Sequence, residues 1–205
     1  GFFWWENNGS EEFTKNTISE TNDGANSIYG IDIDGDLDID VLGTDADDDE
    51  VIVWMNIAPD WSYDLGDNAQ SVAISADGEY MAVSYDYPSY LSLFYRPSGE
   101  LLWTYEADNN QGINSLSFSE DGEYLIALDD GTLLVFGKDN STPMWTADHP
   151  NGGLNFGSAE ISANGKYIAV TGYGLHFFSI DNNTPLWRST KSVSYISISA
   201  DGEFI

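Results

Sequence analysis

Asp32, Asp34, Asp36, Asp38 and Asp40 stand at every second position of the run Asp-Ile-Asp-Gly-Asp-Leu-Asp-Ile-Asp. Carboxylates at that spacing on a loop can point several oxygens at one centre. A hard cation such as Ca²⁺ needs that arrangement, because it takes 6–8 oxygen ligands. Five carboxylates within nine residues would otherwise repel one another strongly. Asn26 to Ile31, Ile39 to Gly43 and Val51 to Met55 read as strands around the run. The neighbouring acids Asp45-Ala46-Asp47-Asp48-Asp49-Glu50 lack the alternation and read as a solvated loop.

Few other residues form a constellation. Tyr85, Tyr87 and Tyr90 surround Pro88, and three aromatic plates around a proline can make a platform for a sugar or a protein. Asn8, Asn140 and Asn182 each open an Asn-x-Ser/Thr sequon, an acceptor site for glycosylation on a surface protein. His149 and His176 are the only histidines, and nothing in the spacing pairs them. No G-x-S-x-G nucleophile turn is present. The absence of cysteine removes disulfides, thiolate zinc sites and thiol nucleophiles.

Charge narrows the partners. Against 35 acidic residues stand 6 basic ones, for a formal net charge of −29. Phosphate backbones are held by Lys and Arg, so nucleic acid is not an expected partner. Anionic membrane surfaces are disfavoured for the same reason. No apolar run approaches the roughly 20 residues that span a bilayer, so no membrane insertion is expected of this segment.

The elements that position these residues come from a repeat. Trp61, Trp103, Trp145 and Trp187 are each 42 residues apart. A second marker recurs as Ser75-Ala76-Asp77-Gly78-Glu79-Tyr80, Ser119-Glu120-Asp121-Gly122-Glu123-Tyr124, Ser162-Ala163-Asn164-Gly165-Lys166-Tyr167 and Ser199-Ala200-Asp201-Gly202-Glu203-Phe204. Two independent markers at a period of about 40 indicate propeller blades. Each period holds four short runs rich in aromatic and branched residues, parted by Gly, Pro, Asn and Asp, which is antiparallel β patterning. Ser71–Ser75, Tyr80–Ser84, Tyr90–Tyr95 and Leu101–Tyr105 are the four strands of one such unit. The fold class is therefore all-β, a β-propeller of four-stranded antiparallel blades. Full blades begin near Asn26, Ser71, Ile113 and Gly157, with a half blade at 2–18 and another from Ser194. Because the pattern stops partway through a blade at Ile205, the expectation is part of a seven- or eight-bladed ring, with a closed five-bladed ring as the alternative. In a propeller, the loops between second and third strands share one face with those joining blades. That face would carry the tyrosine segment, Ala107 to Gln111 and Asp148 to Phe156.

Two family resemblances follow. Residues 1–57, with Asp-Ile-Asp-Gly-Asp-x-Asp-x-Asp-Val-Leu at their centre, resemble an FG-GAP/VCBS-type repeat, a blade that carries Ca²⁺ between its first two strands. That resemblance implies side-chain ligation by Asp32, Asp34, Asp36 and Asp40, and carbonyl ligation by Asp38. Leu37 stands where the family usually has Gly. Residues 58–205 resemble quinoprotein-like (PQQ-type) repeats in Gly-Glu-Leu-Leu-Trp at 99–103, Asn-Ser-Thr-Pro-Met-Trp at 140–145 and Asn-Asn-Thr-Pro-Leu-Trp at 182–187. Their Ser-x-Asp-Gly-Glu-Tyr turns are similar to those of WD40-like propellers. A quinone dehydrogenase is disfavoured, since the vicinal cysteines are missing and cationic ligands are scarce. The resulting expectation is a non-enzymatic, extracellular or cell-surface scaffold or adhesion module. It would be stabilised by calcium, binding protein or glycan through its loops, alone or with other subunits. The alternative is a calcium-dependent polysaccharide hydrolase or lyase.

Overall fold

Short runs of Val, Ile, Leu, Phe and Tyr broken by turn residues give eighteen strands among the described residues. The computed structural model describes residues 2–7, 13–20, 24–31, 40–45, 49–55, 58–85, 89–107, 112–129, 131–148, 157–172, 174–191 and 193–205. Apart from a 3₁₀ turn at Arg96–Ser98, no helix occurs among them. The architecture is that of β-propeller blades, four antiparallel four-stranded sheets, as the repeat predicts. The chain divides into two compact units, Gly1–Ala69 and Gln70–Ile205.

In the first unit, β1 (Phe2–Asn7) and β2 (Phe13–Ser19) form a hairpin, the half blade expected at 2–18. The first full sheet runs β3 (Ala25–Ile31), β4 (Asp40–Asp45), β5 (Glu50–Met55) and β6 (Ala58–Asp64). Its core side chains Leu42, Val51 and Val53 are fully buried, and Ile18 of the hairpin packs on Ile52. β6, which carries Trp61, pairs with β5 through Val53↔Trp61. β4, which begins at Asp40, and the first recurring tryptophan therefore belong to one sheet.

The next sheet holds β7 (Ala69–Ile74), β8 (Tyr80–Tyr85), β9 (Tyr90–Tyr95) and β10 (Glu100–Glu106). It is followed by β11 (Ile113–Phe118), β12 (Tyr124–Asp129), β13 (Thr132–Gly137) and β14 (Trp145–Asp148). The last contains β15 (Ala159–Ile161), β16 (Tyr167–Gly172), β17 (Gly174–Ser179) and β18 (Trp187–Ser189). The second and third strands of these sheets are buried on both faces, so they read as apolar runs.

Within the second unit each pair of neighbouring blades shares one core. Leu91, Leu93 and Ala82 pack against Leu125, Leu134 and Phe136. Ile126, Leu133 and Val135 pack against Ile168, Val170 and Phe178. Ser84 on β8 donates its hydroxyl to Ile113 O on β11 at 2.7 Å, stitching two sheets at a buried point.

Candidate functional site

The acidic run sits between β3 and β4. Ile31 pairs with Asp40, so residues 32–39 connect two paired strands. Asp32, Asp34, Asp36 and Asp38 lie outside the described residues. Asp40 is the first residue of β4 and is buried, at 1% exposure. Among the described residues no group of three or more His, Asp or Glu converges to hold a metal ion.

One part of the neighbouring acidic run departs from the sequence reading. Asp45 is fully buried at the end of β4, where it pairs with Glu50, rather than solvated. Asp49 supplies the left-handed turn residue at φ 55°. Asp129 takes the matching last position of β12 and is buried too, at 4%. Spacing around single motifs passes it over. Asp45, Tyr85, Asp129 and Gly172 end the second strands of the four sheets, and two of those four positions carry a buried aspartate.

Of the tyrosine platform, Tyr87 lies outside the described residues. Tyr85 and Tyr90 face each other across β8 and β9, with ring centroids 5.1 Å apart and tilted by 37°. The Tyr85 hydroxyl and Ser92 Oγ are 3.1 Å apart, and Ser92 Oγ and Thr104 Oγ1 are 2.9 Å apart. That chain of hydroxyls runs over three strands and holds the half-buried pair in place at the loop-bearing end of the blade. His176, on β17, is buried and stacked with Phe178, consistent with a structural histidine. His149 lies outside the described residues.

Asn140 and Asn182 are exposed in the turns between third and fourth strands, and Asn8 lies outside the described residues. Asn140 Oδ1 accepts from the Thr142 N–H, and Asn182 Oδ1 accepts from the Thr184 N–H, each at 2.9 Å. The recurrence of Asn thus has a local cause, since its side chain closes the turn.

The Ser-x-Asp-Gly turns are built by one hydrogen-bond set. In the first, the Tyr80 N–H donates to Ser75 Oγ and the Glu79 N–H to Asp77 Oδ1, both at 2.9 Å. Ser75 in turn donates its hydroxyl to Asp77 Oδ1 at 2.5 Å. The same bonds recur at Ser119, Ser162 and Ser199. Successive turns are also tied to each other: the Glu120 N–H donates to Ala163 O and the Asn164 N–H to Ala200 O. Asp201 shows the electrostatic result. The Ser199 hydroxyl, then the Glu203 N–H, hold its carboxyl below the ordinary aspartate range. A depressed folded pKa favours the fold above the unfolded value, and that contribution is lost as pH falls through the folded one. Ser199→Ala is expected to move the Asp201 midpoint upward in an NMR carboxyl titration. An unmoved midpoint would refute the hydroxyl as the main cause.

Two of the tryptophans, Trp103 and Trp145, act as staples between blades of the second unit. Trp103 Nε1 donates to Lys138 O at 2.8 Å and stacks on Phe136 at 5.5 Å. Trp145 Nε1 donates to Ile180 O at 2.6 Å, its ring 6.0 Å from Phe178. Lys138 also forms an ion pair with Glu123, which raises its pKa, and lies over the Tyr80 ring of the preceding blade.

Residues 99–136 match the family pattern of the WD domain, G-beta repeat (WD40). The stretch takes the last strand of one sheet, β10, and nearly all of the first three of the next, so Trp103 and its stacking partner Phe136 lie close to its two ends. It supports WD40-like propeller repeats, which suggest a non-enzymatic protein-interaction scaffold. A comparison with curated proteins found no match. No helix among the described residues is long and apolar enough to cross a membrane.

Proposed function

We propose that the chain is a non-enzymatic scaffold or adhesion module of the extracellular or cell-surface kind, stiffened by calcium at an FG-GAP/VCBS-like loop. Its loops bind a protein or a glycan. The observation that carries the interaction reading is the WD40-type repeat held rigid by inter-blade staples. Rigid blades carry variable loops at their ends, and binding function concentrates on loops held by such a scaffold. The Tyr85–Tyr90 ring pair, with Tyr85 hydrogen-bonded to Ser92, is the ligand platform on that end. An aromatic pair already fixed in the sheet loses little entropy on stacking against a sugar or side chain.

Asp32, Asp34, Asp36 and Asp40 would hold Ca²⁺ by carboxylate, and Asp38 by its carbonyl. When bound, the ion supplies positive charge that neutralises the hairpin acids. Buried Asp40 and the Ile31↔Asp40 pairing support that reading. Asn140 and Asn182, exposed in their turns, are the sites for attached glycan on a surface protein.

The test compares melting with millimolar Ca²⁺ and with a chelator. Calcium at 100 times its Kd adds about 2.7 kcal/mol to the folded state. The melting temperature is therefore expected to fall on chelation, and not to fall in Asp34→Asn/Asp36→Asn. Identical melting in calcium and chelator would sink the calcium claim. Incubating the calcium-loaded protein with a polysaccharide panel checks the rest. Saturable binding, weakened in Tyr85→Ala/Tyr90→Ala and without new reducing ends, is the expected result. Release of reducing ends would overturn the non-enzymatic reading.

A further inference from the structure

The residue just before each recurring tryptophan of the second unit is apolar and faces water. Leu102 is 41% exposed, Met144 52% and Leu186 54%. Leu101, beside the first, is 38% exposed. Isolated exposed apolar side chains need no explanation. Here, however, one repeat position carries them in three consecutive blades, 42 residues apart, in a chain with 35 acidic residues.

Their placement repeats as well. The Met144 N–H donates to Val135 O and the Leu186 N–H to Phe177 O, both at 2.7 Å. Each is thus fixed to the third strand while its side chain stays in solvent. In the first of the three blades a register shift between Leu101 and Trp103 leaves Leu102 as the extra residue of a bulge. Bulges re-aim side chains on edge strands. The fourth strand is one of the two edges of each four-stranded sheet, and an edge offers backbone groups to an incoming segment. In the last two blades Asn183 Nδ2, in the turn before β18, donates to Thr146 O on β14 at 3.0 Å and ties the two fourth-strand regions together.

We infer that this row is a docking surface for an extended basic segment of a partner protein, which lays an apolar side chain on each blade in turn. The inference rests on the interaction-scaffold reading and names its partner class. The charge of the partner follows from complementarity. Glu100, Asp139 and Asp181 are exposed on the fourth strands or the turns that lead into them, and outnumber exposed Arg188 there, on a chain of net charge −29. Lysine or arginine between apolar anchors would meet those acids.

The probe is a rhodamine-labelled peptide of alternating Lys and Leu, about 16 residues or ~53 Å when extended. Its controls are a Lys-Ser peptide of equal charge and a Glu-Leu peptide. Binding is read by fluorescence anisotropy at physiological salt. The Lys-Leu peptide is expected to bind saturably, at least tenfold more tightly than either control. Leu102→Ser/Met144→Ser/Leu186→Ser should weaken it at least tenfold with the melting temperature unchanged, as suits exposed positions. Equal binding of Lys-Leu and Lys-Ser, or equal binding by the triple variant, would show charge alone and overturn the row. Binding lost in Tyr85→Ala/Tyr90→Ala but kept in the triple variant would overturn the row and leave the scaffold reading standing. That reading is tested separately, on the aspartate loop and the tyrosine pair.

Discussion

Trp145→Ala is expected to cost about 3–5 kcal/mol of stability, among the largest effects of any single substitution in this chain. The ring fills the junction between the third and fourth blades, against the cluster of Ile126, Val135, Ile168 and Phe178. Truncation leaves a cavity there, and collapse is resisted because both flanking sheets are anchored by their own ladders. It also removes the donor to Ile180 O, a carbonyl of the next blade. Trp145→Phe isolates that second effect: most of the ring remains, the indole N–H is lost, and the expected cost is about 1–2 kcal/mol. Trp187 supplies the contrast. It stacks on Phe177 of its own sheet at 5.6 Å and is 44% exposed, with no Nε1 acceptor among the described residues. Trp187→Ala should therefore cost clearly less than Trp145→Ala. Urea unfolding followed by far-UV circular dichroism gives the comparison. Equal costs at 145 and 187 would mean that the tryptophan stabilises its own sheet and does not staple neighbours.

Much of this architecture could be read before any coordinates, because its determinants are local and periodic. The 42-residue tryptophan interval and the Ser-x-Asp-Gly turns mark the blades. Tyr90–Tyr95 is the strand expected, and β8 and β10 differ from expectation only at their ends. What stayed hidden depends on residues far apart in sequence. Nothing near Lys138 announces that its carbonyl receives Trp103 while its ammonium pairs with Glu123 over Tyr80. The buried Asp45 and Asp129 look like surface acids in a chain this acidic, because burial depends on the neighbouring strands and not on the residue type. Leu102 reads as a core residue by type, and the bulge that turns it outward leaves no composition signal. As for the candidate site, the alternation of aspartates was legible at once, since ligand spacing is a local property. The tyrosine pair was legible only as a cluster, because its hydroxyl chain to Ser92 and Thr104 crosses strands.

Gly165→Ala tests the other device that joins blades, the stack of turns. Gly165 sits at φ +69°, where an L-residue with a Cβ costs about 1–2 kcal/mol. A Cβ there would also lie 3.0 Å from Tyr124 Cδ2 and 3.4 Å from Ser119 Cβ, both in the turn of the preceding blade. Tyr124 packs against the interblade core and Ser119 is fully buried and hydrogen-bonded, so neither is free to retreat. Overpacking of this kind adds about 1–3 kcal/mol. The total expected cost is roughly 2–5 kcal/mol. Gly66 separates the two contributions, for it has φ +72° with nothing within 4 Å of its would-be Cβ. Gly66→Ala should show the backbone cost alone, about 1–2 kcal/mol. A double-mutant cycle then locates the steric part. In a Tyr124→Ala background, Gly165→Ala should cost about as little as Gly66→Ala, giving a favourable coupling of about 1 kcal/mol or more. If the coupling is zero, each glycine is required only by its own turn and successive turns do not brace one another. If it is found, the same Ser-x-Asp-Gly unit both reverses the chain and provides the flat glycine face that the tyrosine and serine of the preceding blade pack against, which explains why the motif recurs as a block.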